Sequence, residues 1–148
     1  MSVRRRITAG VAGLLIAGGS MITTATPASA SVIDIGYTVF QNGKVKGSGS
    51  YTRDKNAAWN EVCLMISKRY DGERWFTPDR SSMVCDRADI RGGGERVSFT
   101  FSPKDLPCDR NRSFHAKTLI GAYVSNGTTR IVIDSKESNT IFVDKAKC

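Results

Sequence analysis

The chain has 148 residues, with 22 Lys and Arg against 14 Asp and Glu, one histidine and four cysteines. That length is one ordinary domain. A single histidine leaves little room for His-based catalysis or His-rich metal sites, and the mixed charge does not describe a nucleic-acid binder.

Residues 1–30 read as a cleavable signal peptide. Arg4, Arg5 and Arg6 form the basic start, Ile7 to Ile22 is apolar and rich in Gly and Ala, and Ala28-Ser29-Ala30 is a small-x-small cleavage site. Arg4-Arg5 raises the twin-arginine route, although the residues after the pair fit that motif poorly. No later stretch approaches the roughly 20 apolar residues of a spanning helix. The expected product is therefore a single domain, 31–148, that is secreted or extracellular, either free or wall-associated. Setting aside the three leader arginines leaves 19 of the 22 basic residues against 14 acidic ones, a net charge of +5. Such a surface favours loose association with anionic polymers or acidic partners.

In chain order, Val32 to Gln41 alternates, with Ile33, Ile35, Tyr37 and Val39 expected on one face. Asn42-Gly43 is a type I′ turn signal, and the return strand Lys44–Thr52, polar and carrying Gly47 and Gly49, suits a sheet edge. The stretch 56–70 fits a helix with Asn56 as cap, or a strand with Val62, Leu64 and Ile66 on one face. The strand is preferred because a turn at Asp71-Gly72 and the aromatics Trp75 and Phe76 follow it. Met83-Val84-Cys85 is a short strand, Gly92-Gly93-Gly94 a connector, and Arg96 to Phe101 alternates again with Val97, Phe99 and Phe101 inward. Residues Ser113–Asp134 carry the strongest pattern, two long strands joined at Asn126-Gly127. A two-residue turn there would pair Ala122 with Ile131 and Ile120 with Ile133. It would gather Phe114, Ala116, Ile120, Ala122, Ile131 and Ile133 on the core side. A last strand covers Thr140 to Val143.

About eight short strands without a convincing long helix predict an all-β, antiparallel sandwich. An even cysteine count in an exported chain reads as two disulfides. Three connectivities are possible; Cys63–Cys85 with Cys108–Cys148 is favoured because it ties the C-terminal residue to the start of the long hairpin. A zinc site is disfavoured by the wide spacings and the absence of Cys-x-x-Cys.

The succession Cys63, Trp75, Phe99-Thr-Phe-Ser, Cys108, Phe114-His-Ala-Lys and Asn126-Gly127 resembles small secreted bacterial proteins of the immunoglobulin/fibronectin type III kind. The resemblance implies an immunoglobulin-like sandwich and nothing about function. The chain departs from the antibody pattern in that Cys108 precedes the long strand instead of lying within it.

The functional expectation is a non-enzymatic binding protein, probing an exported protein or an anionic envelope polymer through end loops. Arg91, Arg96, Arg110 and Arg112 are the candidate binding residues, members of a basic set that also includes Arg80 and Arg87. Interleaved aspartates (Asp79, Asp86, Asp89, Asp105, Asp109) dilute the field and argue against nucleic acid. No catalytic residue, metal or cofactor is assigned, and a monomer is expected. Two alternatives stand beside this reading. One is a protease inhibitor presenting Ser81 to Asp86. The other is a small hydrolase such as a ribonuclease with Glu95 as base, His115 as acid and Arg96 or Arg112 as phosphate clamp. Trp75 is expected between the sheets, with Trp59 undecided. Two glycosylation-type sequons, at Asn111 and Asn126, are read as turn chemistry.

Overall fold

A computed structural model describes residues 31–78, 82–90 and 96–148. The leader, Arg80, Arg91, Glu95 and the side chain of Arg96 lie outside the described residues. The rest is all β. The strands are β1 (Val32–Ile35), β2 (Val39–Gln41), β3 (Lys44–Lys46), β4 (Gly49–Asp54), β5 (Glu61–Arg69) and β6 (Met83–Arg87), followed by β7 (Arg96–Phe101), β8 (Leu106–Pro107), β9 (Phe114–Ser125), β10 (Arg130–Glu137) and β11 (Ile141–Val143). Every ladder is antiparallel. Among the described residues no helix is long and apolar enough to cross a membrane.

The wide sheet has the order β10-β9-β5-β6, with β11 continuing β10's side of β9. Two three-stranded groups, β1-β4-β7 and β2-β3-β8, run consecutively along the same three stretches of chain. They form one narrow layer, broken midway. At the break the Gly36 N–H still donates to the Ser48 carbonyl at 2.8 Å. Counting each broken strand once gives eight strands.

The layers pack face to face. Ile33 and Tyr51 of the narrow layer meet Trp59, Val62, Leu64, Ala88, Ile120 and Ala122. Beyond the break, Val45 and Leu106 meet Ile66, Phe114, Ala116 and Val143. The break itself carries a hydroxyl cluster, in which Thr38 Oγ1 lies 2.6 Å from both Thr118 Oγ1 and Ser138 Oγ. Such buried hydroxyls cost little only when they bond one another.

Both disulfides join the favoured pairs, Cys63–Cys85 across β5 and β6, and Cys108–Cys148. The strand reading of 56–70 holds for Glu61–Arg69, whose even-numbered residues from Val62 to Ile66 are buried. Asn42 and Gly43 both take positive φ, 54° and 73°, as a type I′ turn requires.

Several expectations are corrected. The long hairpin turns through four residues, Asn126 to Thr129, so Ser125 pairs with Arg130 and Val124 with Ile131. The Asn126 side-chain oxygen accepts the N–H groups of Thr128 and Thr129, which holds this wider loop. Phe114, Ala116, Ile120 and Ala122 are buried as expected, but Ile131 and Ile133 are 61% and 48% exposed. The register differs, a bulge interrupts β10 after Val132, and β10 is the exposed edge strand of the wide sheet. Further upstream, the chain bends at Gly36. Thr38 therefore takes the inward position and Tyr37 and Val39 turn out to solvent.

The stretch placed at an edge, β3 and β4, is instead the centre of the narrow layer. Its glycines serve close approach: a Cβ on Gly47 would stand 2.1 Å from Thr118 Oγ1, and one on Gly49 2.8 Å from Leu64 Cδ1. After the Asp71-Gly72 turn only Phe76 pairs back, with Lys68. Trp59 is in the core, whereas Trp75 lies half-buried beside Arg69 and Lys117, residues that alternate away from the core on β5 and β9.

Candidate functional site

The β5–β9 ladder separates two ends of the sandwich. Glu61 pairs with Tyr123 at one end, and Arg69 with His115 at the other. Arg87 lies opposite Glu61, and Arg96 lies opposite Asp54, just before the loop that enters β5. Arg110 and Arg112 lie in the β8–β9 loop at the other end. The expected arginine rim is thus divided. Arg96 is not brought together with Arg110 and Arg112, and Arg91 lies outside the described residues.

At the first end two charge pairs are closed. Buried Glu61 accepts from Arg130 Nε at 2.5 Å and Nη2 at 3.3 Å. The Arg130 guanidinium holds the Glu61 carboxyl below its ordinary range, against the opposing pull of burial. Arg87 is paired with Asp89 at 2.9 Å. Glu61 also lies near Cys63 and Cys85, the one close group of metal-ligating residue types among the described residues. Both sulfurs are joined in the disulfide and the carboxylate is engaged by Arg130, so the group offers no metal chemistry.

The second end is organised by Tyr70, which follows β5. The Arg112 guanidinium carbon stands 3.8 Å from the Tyr70 ring centroid, and its Nη2 donates to Glu73 Oε1 at 2.8 Å. The Tyr70 hydroxyl donates to Asp109 Oδ2 at 2.8 Å and accepts from Lys68 Nζ at 3.0 Å. Asp109 Oδ1 in turn accepts the N–H groups of Asn111 and Arg112. Those bonds, the Asn111 N–H foremost, lower the Asp109 carboxyl and hold the loop in an Asx-type turn. The Cys108–Cys148 bridge and the Cys108 N–H to the Gly43 carbonyl fix the loop's other side.

Between this loop, the end of β5 and the far end of the β5–β6 connection, where Pro78 and Ser82 are described, lies a cleft of about 480 Å³. Among the described residues three cations line it, Lys68, Lys104 and Arg110. Lys68 is half-buried, with its ammonium 5.1 to 5.7 Å from the ring centres of Tyr70, Phe114 and Phe76. Among the described residues none of these three cations forms an ion pair. Asp105 and Asp109 also line the cleft, but Asp109 is already bonded to three donors.

Residues proposed for chemistry are placed less favourably. His115 Nδ1 stands 3.5 Å from Asp71 Oδ1, and the imidazole lies 5.1 Å from the Phe142 ring. Arg96 is at the opposite end of the sandwich from His115, whereas Arg112 lies in the loop just before β9 at the same end as His115, and Glu95 lies outside the described residues. Met83 to Asp86, taken above as part of an inhibitor loop, is committed to β6 and paired with β5.

Sequence reasoning named Arg110 and Arg112 but missed Lys68, Tyr70 and Lys104. The signal for the first two was present: the β5 alternation, carried past Ile66, points Lys68 and Tyr70 inward. No protein-family model matches the chain, and neither the curated proteins nor the solved structures contain a match.

Proposed function

We propose that the protein is a secreted binding module that holds its partner, an exported protein or an anionic envelope polymer, at the disulfide-tied end of an immunoglobulin-like sandwich. The observation that carries this reading is the cleft between the β8–β9 loop and the β5–β6 connection. Among the described residues its cations Lys68, Lys104 and Arg110 form no ion pair, and its walls are fixed by a disulfide, an Asx turn and a stacked Arg–Tyr pair. A preformed, partly apolar concavity with a few charged groups is what ligand sites look like. Two disulfides are compatible with life outside the cytoplasm. The strand order, three strands facing four plus β11, supports the immunoglobulin-like description.

The test is retention. The oxidised protein, immobilised, is exposed to culture supernatant and to isolated envelope of the producing cell. Wild type should retain a partner, and the Arg110→Ala/Arg112→Ala variant should lose at least about tenfold in retention, the scale of one or two charge-assisted contacts. Equal retention by both proteins removes this end of the molecule from consideration.

A further inference from the structure

We infer that the ligand of this cleft is a phosphate-bearing chain, with one phosphoryl group seated against Lys68; the inference rests on the binding-module reading above. Lys68 is the deciding residue. It is half-buried, it faces three aromatic rings, and among the described residues its ammonium makes one hydrogen bond, to the Tyr70 hydroxyl. An ammonium brings three donors. Two therefore remain for an acceptor in the cleft, at a position where water screens a charge less than at the open surface.

Lys104 and Arg110 approach the same space from two other segments, the β7–β8 and β8–β9 connections. Donors converging from three separate segments suit a tetrahedral group with oxygens pointing several ways. A planar carboxylate is better served by one guanidinium fork. Pro78, Leu106 and Pro107 give the cleft an apolar wall, room for the carbon links of a polymer on either side of the seated group. Asp105 and Asp109 also line the cleft. Asp109 is held anionic by the Asn111 N–H and the Tyr70 hydroxyl, which occupy its oxygens. Among the described lining residues three cations thus face two carboxylates, and the cleft keeps one positive charge in excess.

The experiment is equilibrium binding of the purified, oxidised protein to three probes: a medium-length polyphosphate, inorganic phosphate and polygalacturonate. Polyphosphate should bind, with log affinity falling against log salt at a slope of about −2, from roughly 0.7 per neutralised phosphate and three cations. Inorganic phosphate should compete weakly, and polygalacturonate should bind at least about tenfold less tightly than polyphosphate. Lys68→Met keeps the apolar stem and removes the donors. It should cost about tenfold in affinity and flatten the slope by about 0.7. If that variant does not fold, Lys104→Ala/Arg110→Ala should flatten the slope by about twice as much. Lys136→Ala, on distant β10, should change neither value.

No polyphosphate binding, equal binding of polygalacturonate, or an unchanged slope in the cleft variants overturns the inference. If the retention test above still captures a partner through Arg110 and Arg112, the binding module stands and only its ligand class is wrong. If polyphosphate binds as stated but nothing is retained from supernatant or envelope, the ligand class stands and the proposed setting fails.

Discussion

Glu61 shows how a single residue ties the two long strands to the edge strand beside them. Its carboxylate is buried on β5 and its partner, Arg130, opens β10, so their ion pair spans β9. The carboxyl is held below its ordinary value near 4.5 chiefly by the Arg130 hydrogen bond. A carboxyl lowered on folding contributes stability that is present above the unfolded value and is lost as pH falls through the folded one. Glu61→Gln should therefore cost about 1.5 kcal/mol near neutral pH, the low end for charged hydrogen bonds because Arg130 remains reachable by water. The two proteins should converge in urea denaturation as pH falls below the lowered value of Glu61. Asp89, lowered by Arg87, and Asp109, lowered by the Asn111 N–H, also give up stability in that window, so the variant keeps part of the acid sensitivity.

At the level of the element, the broken strands of the narrow layer are the unusual feature. Glycine at 47 lets Thr118 come within a distance that no Cβ tolerates, and Thr118 is the hub of the Thr38–Ser138 hydroxyl cluster. Gly47→Ala should destabilise by about 1–3 kcal/mol, as overpacking does. Calorimetry would show the loss, and a neutral result would mean that the layers part there easily. These glycines also mark the limit of what was legible beforehand. Polar, glycine-rich Lys44–Thr52 carries the composition of an edge, and composition does not reveal that the opposite sheet needs the space. Alternation did locate β5, β7 and the inner face of β9, because period-two burial is written directly into side-chain type. The register of β10 was not legible, because it turns on whether Asn126 caps its own loop. That choice is made by two side-chain hydrogen bonds and leaves no mark on the pattern of apolar residues.

For the molecule as a whole, the disulfides divide the work. Cys63–Cys85 joins strands already paired, while Cys108–Cys148 gathers β9, β10 and β11 into one loop of 40 residues' separation. In the chain-entropy model the second closure is worth about 4 kcal/mol. Cys108→Ser/Cys148→Ser should lose roughly that much in denaturant, and should also weaken partner retention because the β8–β9 loop would lose one of its anchors. Loss of stability with retention intact would show that the Asx turn and the Arg112–Tyr70 stack hold the cleft alone. Of the three possible cysteine pairings, the one favoured for tying the C-terminal residue to the start of the long hairpin is the one found. The cleft was not legible, because Lys68 and Arg110 are 42 positions apart in the chain and meet only once both layers are closed.

The two tryptophans occupy different worlds. Trp59 is 5% exposed and lies edge-on to Tyr51 in the core. Trp75 is half-buried beside the cations of Arg69 and Lys117, three positions before cleft-lining Pro78. Their emission should differ accordingly, with Trp59 blue and shielded, and Trp75 redder and open to iodide, which the neighbouring cations attract. The protein thus carries its own pair of lamps, one reporting whether the sandwich is closed and the other what happens at the end that holds the cleft.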